Sequence, residues 1–201
     1  MGRAAALQNH PQCKAAKACD SKAAKALVND LVRPEDIEQA RERLPQGAIY
    51  VALHAEEAAG NKIPVALADR YASELAGSVA TEIVQTNETH HTGSRAMNRL
   101  VTRPEFDGPV EPGKSYVLVD DVVTLGGTLA EAANYIESKG GKVAGAIVLA
   151  NASRTGTLAP KREDHPNPGG ALWRRNQRII RRRARRTHSP GSYVSHRFQI
   201  G

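Results

Sequence analysis

Apolar residues return along this chain in two rhythms. Over Lys14–Val28, Cys19, Ala23 and Leu27 recur every fourth position with no Pro or Gly between them, which predicts a helix. Pro34 suits the first turn of a second helix, with Ile37, Ala40, Arg41 and Leu44 on one side and Pro45-Gln46-Gly47 as its stop. Ala48–Leu53 reads differently. It is nearly all apolar without alternation, the pattern of a strand buried on both faces. Pro64 opens a third helix with Leu67, Tyr71 and Leu75 on one stripe, stopped by Gly77, and Thr81–Thr86 is predicted as the next strand. Tyr116-Val117-Leu118-Val119 is the strongest strand and runs into Asp120-Asp121. Gly126-Gly127 then leads into a helix over Thr128–Ser138, Gly140-Gly141 ends it, and Val143–Leu149 is the last apolar strand.

Strand, helix, strand, gap, strand, helix, strand predicts an α/β fold with a parallel sheet and helices on both faces. Such sheets bind ligands at the carboxyl ends of their strands. The gap from Asn87 to Lys114 holds His90-His91, three prolines and three glycines, with at most one helical turn at Ala96–Leu100. Loops of this length are usually lids, binding loops or disorder, and a lid that orders on ligand binding is expected here. Three segments result. They are an N-terminal helical segment (1–46), the α/β domain (47–160) and a basic tail (161–201).

Composition sharpens this division. The chain has 201 residues, 40% apolar and 24% charged, enough for one packed domain. No apolar run approaches the roughly 20 residues of a membrane span. Met1–His10 lacks the apolar centre of a secretory leader, and Asp20 and Asp30 interrupt the Ala/Lys-rich start, against an organelle transit peptide. The expectation is a cytoplasmic protein without membrane contact. The formal charge of +7 is unevenly held: residues 161–201 carry eleven basic and two acidic side chains, leaving 17 basic against 19 acidic in residues 1–160. The body is mildly acidic. Eight of the thirteen residues from Arg174 to Arg186 are arginine, near Trp173, the single tryptophan. Three readings of the tail stand open: a nucleic-acid-binding arm, a solvated tail undocked from the sheet, and an end translated out of frame. Cys13 and Cys19 are poorly placed for a bridge on one helix, which fits a reducing compartment, and with His10 they make only a weak zinc pattern.

The chemistry is concentrated in Val117–Leu129. Two carboxylates, Asp120 and Asp121, stand where a buried strand emerges, and Thr124-Leu125-Gly126-Gly127-Thr128 opens a helix. N–H groups of a glycine-rich turn and a helix start make an anion cradle, Thr124 and Thr128 add hydroxyls, and the carboxylates can accept from ribose hydroxyls or hold Mg²⁺. The pattern suits a phosphorylated sugar. The alternative is a structural turn with solvated carboxylates.

This strand–turn–helix resembles the phosphoribosyl-pyrophosphate motif of the type I phosphoribosyltransferases, and the resemblance extends over roughly Ala48 to Asn151. It implies a phosphoribosyltransferase-like, Rossmann-like fold. Asp120 and Asp121 would hold the ribose 2′- and 3′-hydroxyls and Mg²⁺, and Thr124–Thr128 the 5′-phosphate. Leu125 departs from the family pattern, which has Thr, Ser or Ala before the first glycine. His54, Ala55 and Glu56 stand where the family carries a pyrophosphate-binding turn, or else Glu56 and Glu57 begin the next helix. The stretch His54–Pro64 looks like a poorly characterised bacterial branch rather than the base-salvage enzymes. His90, His91, Arg95 and Arg99 stand where the family places a catalytic loop, and His91 and Arg95 are the candidate donors to the leaving group. The N-terminal helices would form a hood over the acceptor. The implied partners are phosphoribosyl pyrophosphate or a nucleoside monophosphate, a nucleobase-like acceptor, a homodimer mate, and nucleic acid if the tail is native. A nucleotide-sensing regulator, binding nucleic acid through that tail, is the alternative to an enzyme.

Overall fold

The computed structural model describes residues 3–53, 60–86, 104–152 and 194–195. All belong to one compact unit, residues 1–158 with 192–201. Four helices precede the first strand: α1 (Arg3–Gln8), α2 (Cys13–Ala16), α3 (Ser21–Leu31) and α4 (Pro34–Arg43). The single helix expected over Lys14–Val28 is therefore two, and the break has a local cause. The Asp20 carboxylate accepts from the N–H groups of Lys22 and Ala23 at 2.9 and 3.0 Å and caps α3. A cap residue leaves helical backbone geometry, so no helix runs through it. Pro34 starts α4 as expected, and Asp36 accepts from the Arg33 N–H at 3.1 Å. The buried Asp36 also accepts from Arg3 at 2.6 Å, fastening α1 to α4.

The chain then forms β1 (Ile49–Ala52), α5 (Ile63–Glu74) and β2 (Ser78–Ala80). The second strand of the sheet thus lies ahead of the expected Thr81–Thr86. Ser78 enters it directly from the end of α5 by donating to the Ala48 carbonyl at 3.1 Å. Val84–Gln85, within the expected strand Thr81–Thr86, forms β3, which pairs antiparallel in a separate ribbon with β4 (Phe106–Asp107), and β4 lies inside the stretch read as a long gap. Both segments have strand composition, and only the availability of partners decides which joins the sheet. Next come β5 (Ser115–Val123), α6 (Gly127–Ser138) and β6 (Lys142–Asn151). The sheet order is β2-β1-β5-β6, all parallel.

Helices cover both faces, as the alternation of elements implies. Strand residues alternate between faces, so Val117 and Val119 of β5 join a core with Leu7, Leu27, Ile37, Leu67 and Tyr71 from α1, α3, α4 and α5. Tyr116 and Leu118 join the other core, with Leu129, Ala133 and Ile136 of α6 and with Ile83 and Phe106 at the ribbon. The helices of residues 1–46 therefore share a core with the sheet. A two-residue strand, β7 (Val194–Ser195), pairs antiparallel with Ala146–Ile147 of β6. These two residues belong to the basic tail, for which a solvated segment undocked from the sheet is one of the three readings. Edge pairing is made by backbone groups and needs no apolar periodicity. The remainder of 161–201, including Trp173 and the arginine run, lies outside the described residues.

Candidate functional site

β5 does not stop at its apolar run. It continues through Asp120 and Asp121 to Val123, so the two carboxylates are strand residues and leave on opposite faces. Asp121 shares the face of Val119, on which α5 packs. It is buried there. Its Oδ2 accepts from Asn61 Nδ2 at 3.1 Å and lies 3.3 Å from Lys17 Nζ, while its Oδ1 accepts from the Val122 N–H at 2.9 Å.

Asp120 is partly exposed. Its Oδ1 accepts from the Asp121 N–H at 2.8 Å. Desolvation by the surrounding protein, and then the adjacent Asp121 charge, push its carboxyl well above the usual carboxylate range. The Asp121 N–H and the Lys17 charge pull the other way without reversing the shift. The carboxylates that the sequence treats as equivalent are chemically different.

Neither Lys17 nor Asn61 is marked by a motif. Asn61 carries a weak local signal, because Asn before a proline-containing helix start is a capping type. It forms a local side-chain turn there, since its Oδ1 accepts from the Ile63 N–H two residues on at 3.1 Å while its amide holds Asp121. Lys17 carries none. It reaches the site because the turn between α2 and α3 is tied to the segment entering α5: Cys19 N–H donates to the Gly60 carbonyl at 2.6 Å, and Lys62 N–H to the Ala16 carbonyl at 2.9 Å.

The expected phosphate turn follows β5. Gly126 takes φ 74°, left-handed backbone that favours glycine, and caps α6 with its carbonyl accepting from the Ala130 N–H at 2.9 Å. Among the described residues a Cβ placed on Gly127 would meet nothing within 4 Å, so the space over this backbone is open. The first N–H groups of α6 point from here without intrahelical partners. Thr124 is exposed and Thr128 half-exposed. Leu125 is 84% exposed, the one large apolar side chain so placed among the described residues. Its side chain therefore takes no part in the core, and the loss of a hydroxyl at this position leaves the fold untouched.

Asp120, Asp121 and Thr124–Thr128 thus meet at one end of the sheet. His54, Ala55, Glu56, His90, His91, Arg95 and Arg99 lie outside the described residues. As a resident Mg²⁺ site the acid pair fits poorly, because Asp121 Oδ2 already faces an ammonium and an amide N–H. Among the described residues no three His, Cys, Asp or Glu side chains stand together as a metal site. His10 Nε2 lies 3.2 Å from Asp30 Oδ2, Cys13 is buried and Cys19 is exposed.

Residues 64–165, just over half of the chain, match the phosphoribosyl transferase domain family. The chain belongs to this phosphoribosyltransferase family. A curated relative, Protein TraN of Escherichia coli, is 36% identical over 182 residues, covering 86% of this chain and 41% of the relative. An Uncharacterized protein of Haemophilus influenzae is 38% identical over 130 residues, 64% of this chain and 29% of its own length. The chain therefore spans about two fifths or less of these two relatives. An orotate phosphoribosyltransferase of Nitratiruptor sp. is 36% identical over 73 residues, 35% of each chain. Among solved structures, a purine phosphoribosyltransferase from Pyrococcus horikoshii is 19% identical with a TM-score of 0.39, covering 57% of this chain and 66% of its own. An orotate phosphoribosyltransferase from Aeropyrum pernix is also 19% identical, TM-score 0.36, covering 66% and 61%. No helix among the described residues of this phosphoribosyltransferase-family chain is long and apolar enough to cross a membrane.

Proposed function

We propose that this chain binds phosphoribosyl pyrophosphate, or a nucleoside 5′-monophosphate, between the end of β5 and the start of α6, and transfers the phosphoribosyl group to a nucleobase-like acceptor. The observation that carries this reading is the open backbone over Gly127, behind the left-handed cap Gly126, on the same strand–turn–helix as Asp120. A 5′-phosphate there accepts from the free N–H groups of α6 and the hydroxyls of Thr124 and Thr128, with the helix dipole in its favour. The ribose diol lies toward Asp120, the less encumbered carboxylate.

In the transfer, an acceptor nitrogen forms a bond to the anomeric carbon while the bond from that carbon to pyrophosphate breaks, and the electron pair leaves on pyrophosphate. The chain's part is to position the two reactants and to meet the developing charge. His91 and Arg95 are proposed donors to the leaving pyrophosphate, and His54, Ala55 and Glu56 the turn beside it. Mg²⁺ in this reading accompanies the pyrophosphate and does not reside on the acid pair.

Calorimetry of the full chain with phosphoribosyl pyrophosphate and MgCl₂ tests the reading, followed by a pyrophosphate-release assay over a panel of bases. Loss of a charge-assisted hydrogen bond costs roughly 1.5–3 kcal/mol, so Asp120→Ala should bind about ten- to a hundredfold more weakly. An unchanged affinity in folded Asp120→Ala, or no binding by the parent chain, rejects it.

A further inference from the structure

The turn that carries Lys17 is held more tightly than a connection between two helices requires. Hydrogen bonds bracket it on both sides, from Lys62 N–H to Ala16 and from Cys19 N–H to Gly60. Cys19 sits at φ 71°, a left-handed conformation that a non-glycine residue takes only when its surroundings impose it. Gly60 permits the close approach: a Cβ there would stand 3.0 Å from the Lys17 carbonyl oxygen. The consequence is that Lys17 Nζ faces Asp121 Oδ2 at 3.3 Å, the oxygen that Asn61 also meets. Divalent cations seek anionic carboxylate oxygens. At Asp121 one such oxygen already faces a positive charge supplied by the chain, and that charge repels a second.

We propose that Lys17 is the built-in counter-cation of Asp121, a positioning residue delivered by the N-terminal helices that fixes this carboxylate and keeps free divalent cations off the acid pair. Asp120 alone is then left to face a ligand, and the N-terminal segment becomes part of the site. The assignment rests on reading the end of β5 as a phosphoribosyl site, but its test needs no phosphoribosyl compound. The two readings therefore fail separately.

The test is a titration of the full chain with Mn²⁺ alone, following free Mn²⁺ by electron paramagnetic resonance. Lys17→Met removes a charge close to the pair and should bind Mn²⁺ about tenfold or more tighter than the parent. Lys17→Arg keeps the charge and should bind like the parent. The double variant Lys17→Met with Asp121→Asn should lose the gain. Lys17 is nearly half exposed, so its substitution is expected to leave a folded chain, which thermal unfolding verifies. Lys17→Gln provides the same comparison should the methionine variant not fold. Equal Mn²⁺ affinity in the parent and in the folded Lys17 variant overturns the proposal, and so does a gain that survives Asp121→Asn.

Discussion

Two turns meet the acid end of β5, and both contain a residue in left-handed backbone. In the turn before α6 it is Gly126 at φ 74°; in the turn before α3 it is Cys19 at φ 71°. Glycine adopts this conformation at no steric cost, whereas a residue with a Cβ loses roughly 1–2 kcal/mol. The glycine turn is open: among the described residues a Cβ on Gly127 would meet nothing within 4 Å. The cysteine turn is closed, with hydrogen bonds to the segment entering α5 on both sides of Lys17. One turn keeps its backbone available to something outside the protein. The other spends its backbone on the protein itself and presents only a side chain, Lys17. The two carboxylates follow this difference: Asp121 is held by Lys17 of the closed turn and by Asn61, while Asp120 accepts from the Asp121 N–H.

The comparison breaks most visibly at Gly127. A valine there meets open space in the free protein but fills the cradle, so phosphoribosyl binding should fall by about tenfold to a hundredfold. The melting temperature should stay close to that of the parent chain. Calorimetry and thermal unfolding on the same sample separate the two effects. A destabilised variant that still binds would show that the turn is closed like its counterpart.

Asp120→Asn sharpens the contrast between the carboxylates. A carboxyl raised above its unfolded value, roughly 3.9, binds more protons folded than unfolded. The folded state is therefore progressively penalised as pH rises from that value through the folded one. The amide removes the penalty, and its oxygen can still accept from the Asp121 N–H. Urea unfolding should find Asp120→Asn more stable than the parent at neutral pH, with the difference shrinking as pH falls toward 4. A constant or reversed difference would mean that Asp120 is no more strained than its neighbour. The smallest effect is at the closed turn: Cys19→Gly relieves left-handed strain but loosens the unfolded chain, so a gain of about 0.5 kcal/mol is expected from denaturant midpoints. A clear loss of stability would mean that the exposed Cys19 side chain, not backbone imposition, holds the turn.

Much of the architecture is legible from residue patterns because burial on a parallel sheet imposes a composition. Ala48–Leu53, Tyr116–Val119 and Val143–Leu149 are apolar without alternation and lie within or overlap β1, β5 and β6. The phosphate turn is legible because left-handed backbone at Gly126 demands glycine. The misplacements have physical reasons of another kind. Asp20 looks like one polar residue in a helical run, yet its carboxylate can take two N–H groups and does so. Thr81–Thr86 has strand composition, but Val84–Gln85 finds its partner in β4 and not in β1.

The α/β alternation, the acid-pair strand and the glycine turn can be read along the chain, since each follows from local composition or local backbone geometry. Tertiary structure alone decided that Lys17 and Asn61, 104 and 60 residues from Asp121 in the chain, meet the same carboxylate oxygen. It also decided that Val194–Ser195 completes a sheet edge. These contacts use a single charge, a single amide or bare backbone, none of which leaves a periodic or spaced pattern along the chain. What distinguishes Asp120 from Asp121 is likewise not in either residue but in which side of the sheet each one faces.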